Sequence, residues 1–220
     1  MTTLFPEELI QQLTECGVVA VLTIDNPDDA VPVANALAAG GVMGIELTLR
    51  TPAALEAIRR IRAAVPAMLV GAGTVLNREQ VGAVKAAGAV FGVSPGCNPA
   101  TLRAAREAGL PFAPGAATPT EVEIAAENGC RLLKYFPAET AGGLPHLNAM
   151  AAPFAHLGIR YIPLGGITAG QLADYIASPL VACVGGSWLA KPDVIRQKDW
   201  KKIEELASTA MAIVHSIRRP

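Results

Sequence analysis

Apolar residues run along this chain in short bursts whose spacing switches between two rhythms. Val18-Val19-Ala20-Val21-Leu22 is continuous, the pattern of a strand covered on both faces. Leu55, Ile58 and Ile61 instead recur every third residue, which puts them on one face of a helix. Carried through the chain, the first rhythm predicts strands over residues 18–22, 44–49, 68–72, 90–93, 112–113, 132–136, 161–164 and 181–184. The second predicts helices over 28–39, 52–64, 78–87, 99–108, 119–127, 144–154 and 169–176, several closed by a glycine such as Gly40, Gly88, Gly109 or Gly129. A short leading helix over 6–15 carries Leu9, Ile10 and Leu13, and a longer one ends the chain through Trp200, Ile203, Leu206, Met211 and Val214.

Strands alternating with helices at a spacing of ~20–30 residues imply a parallel sheet. Eight such units in 220 residues predict an α/β fold, a (β/α)8 TIM barrel with an extra N-terminal helix, as one domain over 1–220. A doubly wound open sheet is the competitor, but it leaves two edge strands unpaired and the runs show no edge-protecting device. Composition narrows the partners. The net charge of −1 is spread without a basic or acidic block, which argues against nucleic acid or an anionic membrane surface. No apolar run reaches the ~20 residues of a membrane span, and the first residues lack the basic-then-apolar order of a signal peptide. Cys16, Cys97, Cys130 and Cys183 are scattered, as reduced thiols in a cytoplasmic protein would be. His146, His156 and His215 fall on predicted helices away from the strand ends, so no metal-ligand set is expected.

The candidate chemistry starts from Leu132-Leu133-Lys134-Tyr135-Phe136, a strand with a lysine in its middle. Buried lysines are rare unless paired or used, and burial disfavours the charged form. A desolvated amine is the nucleophile that forms a Schiff base with a carbonyl substrate. The plainer alternative is that Lys134 sits at a strand end and reaches water. On the second strand, Glu46, Thr48 and Arg50 share one face by period two, opposite Ile45, Leu47 and Leu49. With the apolar face toward the helices, the polar face turns inward. Glu46 is then a proton carrier and Arg50 a fork for a substrate carboxylate, or the two form a quiet internal ion pair. Gly71-Ala72-Gly73-Thr74 ends the third strand, with Thr74 a hydrogen-bond donor to a ligand or simply a helix cap. Ser94-Pro95-Gly96 and Pro114-Gly115 are rigid turns that can wall a pocket. Gly165-Gly166 and Gly185-Gly186-Ser187 follow the last two strands, where such barrels bind phosphate through backbone N–H groups.

In this order Glu46-Leu-Thr-Leu-Arg50, Gly71-Ala-Gly-Thr74, Ser94-Pro95-Gly96, Leu133-Lys134-Tyr-Phe136-Pro137-Ala138-Glu139, Gly165-Gly166-Ile167 and Gly185-Gly186-Ser187-Trp188 occur together. The set closely resembles the bacterial 2-keto-3-deoxy-6-phosphogluconate (KDPG) aldolase / 4-hydroxy-2-oxoglutarate (KHG) aldolase family, over nearly the whole predicted barrel. The resemblance implies a class I aldolase, a lyase without metal or other cofactor, assembled as a homotrimer. It makes Lys134 the imine-forming residue and Glu46 the proton shuttle. Arg50 and Thr74 would hold the carboxylate, Pro95 and Phe136 the pyruvate pocket, and Gly165, Gly166, Gly185, Gly186 and Ser187 the phosphate. The implied products are pyruvate and glyceraldehyde 3-phosphate, the last cleavage of the Entner–Doudoroff route.

One position departs from the family pattern. Phosphogluconate-type members carry threonine before the seventh-strand glycine pair, where this chain has Leu164; galactonate-type relatives place an aliphatic residue there. A leucine cannot hydrogen-bond a substrate hydroxyl, so discrimination at that hydroxyl is lost. Three readings therefore stand: cleavage of KDPG, the same mechanism on 4-hydroxy-2-oxoglutarate or 2-keto-3-deoxy-6-phosphogalactonate, or a non-catalytic barrel that only binds a sugar phosphate.

Overall fold

A computed structural model describes residues 3–218 of the chain. Strands β1 (Val18–Leu22), β2 (Gly44–Thr48), β3 (Leu69–Gly73), β4 (Phe91–Val93) and β5 (Phe112–Ala113) come first. They are followed by β6 (Gly115–Ala116), β7 (Leu132–Tyr135), β8 (Arg160–Pro163) and β9 (Val184–Gly186). All pairings are parallel, in two arcs: one runs β5-β4-β3-β2-β1-β9, the other β6-β7-β8. The expected α/β alternation is present, with a curled parallel sheet covered by helices.

Three strands differ from the expected elements. The fifth strand is split, because Pro114 has no N–H to give to a ladder, although its carbonyl still accepts from Lys134 N at 2.8 Å. The eighth strand starts late: Val181 makes only an isolated bridge to Tyr161, and regular pairing begins at Val184. The second strand stops at Thr48. Leu49 N still reaches Gly73 O at 2.9 Å, but Arg50 N turns back to Thr48 O at 2.8 Å, so Arg50 lies beyond the strand. Short helices at Ala138–Ala141 and Pro192–Arg196 stand outside the expected elements.

Period two sorts the strand side chains into two layers. In β1, Val18, Ala20 and Leu22 join the large cluster beneath the helices, while Val19 and Val21 belong to a smaller cluster on the opposite face. That smaller cluster also holds Phe91, Val93, Leu132, Ile162 and Leu164. The leading helix, Glu7–Cys16, plugs its N-terminal end with Ile10 and Leu13, and Phe5 stacks at a tilt on Phe91 with centroids 6.1 Å apart. Arg160 Nη2 donates to Thr14 Oγ1 at 2.6 Å, and Arg218 from the closing helix donates to the carbonyls of Thr14, Val181 and Ala182.

Tyr161 sits in the helix-side layer, fully buried, with a hydroxyl that finds no hydrogen-bond partner among the described residues. Burial pushes its phenol up to about 12. An unsatisfied buried hydroxyl costs ~1–3 kcal/mol, so Tyr161→Phe raises stability by ~1 kcal/mol. Thermal melts read this as a higher Tm; a lower Tm shows that the hydroxyl has a bonding role.

Candidate active site

Lys134 occupies the third position of β7 on the face it shares with Leu132, away from the helices. Its ammonium donates to Glu46 Oε1 at 3.0 Å, and both residues are buried, 5% and 3% exposed. The two come from strands in different arcs, 88 positions apart in sequence. Desolvating such a pair costs several kcal/mol per ion, which the mutual contact only partly offsets. Phe136 lies beside it, its ring centroid 5.3 Å from Lys134 Nζ. Space for the carboxylate comes from Gly73: a Cβ there would sit 2.0 Å from Glu46 Oε1. Two residues after Glu46, Thr48 Oγ1 donates to Leu22 O at 3.0 Å and meets Thr23 Oγ1 at 2.9 Å; Thr23 is a hydroxyl the sequence offered no reason to single out.

Arg50 departs from expectation. It lies past the end of the strand that carries Glu46 and Thr48. It stands exposed on the turn after β2, and its guanidinium makes no hydrogen bond or ion pair with any described residue. The internal ion pair is therefore Glu46 with Lys134, not Glu46 with Arg50.

The other expected site residues lie at the same, C-terminal, ends of the strands. Thr74 directly follows Gly73 with φ 59, a left-handed conformation that costs a β-branched residue ~1–3 kcal/mol. Pro95 is exposed beside a cavity of about 370 Å3, and its carbonyl crosses where a Cβ on Gly115 would lie, at 2.1 Å. Leu164 is buried against Gly185, where a Cβ would come within 2.2 Å of Leu164 Cγ. Gly165 and Gly166 take φ 101 and 81, conformations that glycine adopts without penalty, and Gly165 packs on the Phe136 ring. The N–H groups of Gly165, Gly166 and Ile167 donate to no acceptor among the described residues. Gly186 lies under the Trp188 ring, and Ser187 is exposed. Direct contacts thus join Lys134 to Glu46 and Phe136, Phe136 to Gly165, and Leu164 to Gly185 around one mouth. Arg50, Pro95 and Ser187 are exposed just beyond the C-terminal ends of β2, β4 and β9, and none bonds to the ion pair.

A separate cavity of about 500 Å3, lined by Gln12, Glu15, Cys16, Met211 and His215 among others, opens at the opposite end and touches neither Lys134 nor Glu46. Burial pushes the thiols of Cys16 and Cys97 up to about 11 and that of Cys130 to about 12. None of these three is therefore a thiolate nucleophile at neutral pH. Among the described residues no three His, Cys, Asp or Glu side chains gather as metal ligands would.

A buried amine held against a carboxylate, at the C-terminal edge of a parallel α/β sheet, equips a class of carbon–carbon lyases that work through an imine. The sequence matches the family model for "Aldolase: KDPG and KHG aldolase" over residues 9–206, and the chain belongs to that family. It is 47% identical to the 2-dehydro-3-deoxy-phosphogluconate aldolase of Dickeya dadantii, over 92% of this chain and 94% of that one. Among solved structures, the KDPG aldolase of Legionella pneumophila, with pyruvate captured as a covalent carbinolamine, superposes with a TM-score of 0.87. It is 37% identical, covering 91% of this chain and 97% of its own. The Zymomonas mobilis enzyme with 3-phosphoglycerate gives 0.86 at 40% identity, covering 93% and 95%.

Proposed function

We propose that this chain is a class I aldolase that cleaves 2-keto-3-deoxy-6-phosphogluconate to pyruvate and glyceraldehyde 3-phosphate. The observation that carries the reading is the buried 3.0 Å contact between Lys134 Nζ and Glu46 Oε1. A proton passed across it leaves a free amine, which attacks the C2 carbonyl. Loss of water from the carbinolamine gives a protonated imine. Glu46 then takes the C4 hydroxyl proton, the C3–C4 bond breaks, and its electron pair moves into the imine as an enamine, so no naked carbanion forms. Glu46 returns a proton to C3, and hydrolysis frees pyruvate. The Legionella relative, holding pyruvate as a carbinolamine, supports the first step. Phe136 and Pro95 wall the methyl end, with Arg50 and Thr74 at the carboxylate. The unused N–H groups at Gly165 and Gly166, with Gly185, Gly186 and Ser187, take the phosphate.

Incubation with pyruvate and borohydride tests this: peptide mapping finds the added mass on Lys134, and an unmodified protein overturns the reading. Lys85, Lys191, Lys198, Lys201 and Lys202 are all exposed, so a specific adduct has one place to form. Two substrate comparisons follow. The phosphorylated acid exceeds 4-hydroxy-2-oxoglutarate by ~10²-fold in kcat/KM, the worth of one charge-assisted hydrogen bond or two. Because Leu164 offers the substrate only hydrocarbon, the phosphogluconate and phosphogalactonate epimers differ by less than ~10-fold. A strong preference for one epimer shows that another residue reads the hydroxyl.

Closure of the two arcs into one eight-stranded barrel, as a single domain, is part of the same proposal. It is supported by the continuity of β5 and β6 through Pro114 and by the Tyr161 to Val181 bridge. We further propose a homotrimer working in the cytoplasm. Four free thiols suit a reducing compartment, and no described helix is long and apolar enough to cross a membrane.

A further inference from the structure

Glu139 has no part in the chemistry above, yet both oxygens of its side chain are bonded. Its Oε1 accepts from the Tyr175 hydroxyl and its Oε2 from Gln171 Nε2 at 2.5 Å. Gln171 Oε1 in turn accepts from Thr168 N at 2.9 Å and Thr168 Oγ1 at 2.8 Å. On the backbone, Glu139 N donates to Gly165 O at 3.0 Å, and Ala138 N to Leu164 O at 2.7 Å. Gly166 is bare where a Cβ would press on Glu139 Cβ at 2.9 Å, so the two segments lie in direct contact. Residues 164–168 are therefore held at both ends. The backbone of Ala138 and Glu139 grips the start; the carboxylate of Glu139, through Gln171, grips the end. Only the middle, Gly165 to Ile167, keeps its N–H groups unspent.

We infer that Glu139 is a positioning residue that shapes the Gly165–Gly166–Ile167 turn into an anion cradle and so sets affinity for the phosphate end of the substrate. The inference rests on the aldolase reading above and concerns binding, not bond cleavage. Three donors can converge on one anion only if the glycine backbone is fixed, because glycine otherwise has the widest choice of conformations. A carboxylate that ties a hydroxyl and a carboxamide across 36 and 32 positions of sequence supplies that restraint. The bonds are made in a half-buried place, where burial and then the Glu139 contact push the Tyr175 phenol upward.

The chain of donors and acceptors offers a specific test. In Glu139→Gln only one oxygen remains to accept, so either Tyr175 or Gln171 loses its acceptor, and the charge that strengthened both bonds is gone. Adding Gln171→Glu reverses the pair. The amide introduced at position 139 donates to the carboxylate introduced at position 171, whose other oxygen still accepts from Thr168, and Tyr175 keeps its acceptor. The expected result is a KM for the phosphorylated substrate raised ~10²-fold in Glu139→Gln, the scale of a ~1 Å misplacement, with kcat changed far less. The reciprocal double variant returns KM to within ~3-fold of the starting protein, since the same hydrogen bonds are restored. Tyr175→Phe, losing one leg, raises KM ~5–10-fold, about one hydrogen bond. Pyruvate trapping on Lys134 persists throughout. An unchanged KM in a folded Glu139→Gln overturns the inference. So does failure of the double variant to recover, which would require the charge at position 139 itself. Absence of trapping in the unmodified protein is a different failure, that of the aldolase reading.

Discussion

Lys134→Met abolishes borohydride trapping of pyruvate and lowers kcat/KM by at least ~10⁴-fold, as loss of a covalent nucleophile does. Methionine nearly matches the lysine stem, so volume alone suggests an undisturbed fold. The ion pair changes that expectation. Lys134 is the partner of Glu46, and removing one member of a buried pair costs ~3–5 kcal/mol because the other charge is stranded. The single variant therefore melts well below the starting protein, and Lys134→Met with Glu46→Gln recovers much of the loss while staying inactive. Calorimetry and mass-mapped trapping read the two effects apart. Residual adduct in Lys134→Met identifies a different amine; equal Tm values for single and double variants show that Glu46 is not stranded.

Gly73→Ala removes most of the activity without touching a reacting group. A Cβ at this position would lie 2.0 Å from Glu46 Oε1, 2.7 Å from its carboxyl carbon and 2.8 Å from Cγ, so the whole head group must swing away. Gly73 does not take a left-handed φ, and alanine itself fits the backbone. The cost in stability is the ~1–3 kcal/mol of an overfilled core, whereas the loss in kcat is ~10²–10³-fold, the range for a displaced proton carrier. Shortening the acid by Glu46→Asp in the same background withdraws the carboxylate and restores part of kcat. Gly82→Ala is the control: within Arg78–Ala86 its new Cβ meets no described residue outside its own helix backbone and chain neighbours within 4 Å, and the variant gains ~1 kcal/mol of helix stability. Full activity in Gly73→Ala would mean that Glu46 has a second working position.

The strand carrying Lys134 and the alternation that turns Glu46 inward were legible because both depend on period two within five residues or so. Their meeting was not derivable from that period, since the partner strand is 88 positions away. Arg50 falls beyond the strand for a related reason. Alternation extends a face only while the strand lasts, and the turn at Leu49 and Arg50 ends it one residue early. Gly73 yields room to a side chain of the neighbouring strand, a demand that its own stretch of sequence does not reveal. Glu139 stood in the sequence motif with no role, because every group it binds through its side chain comes from the helical segment that follows β8. Pro114 could be read as a turn, but that it interrupts one strand in two pieces depends on which neighbour it faces.

The plug formed by Phe5, Ile10 and Leu13 has a kinetic corollary. On the closed barrel and site proposed above, the stoppered far end leaves traffic a single doorway, with the fragment tethered to Lys134 below the one bearing phosphate. The aldehyde must depart before pyruvate can, and in synthesis pyruvate must arrive first. Product-inhibition patterns accordingly follow a compulsory sequence, with pyruvate competing against the keto acid and the aldehyde phosphate acting noncompetitively.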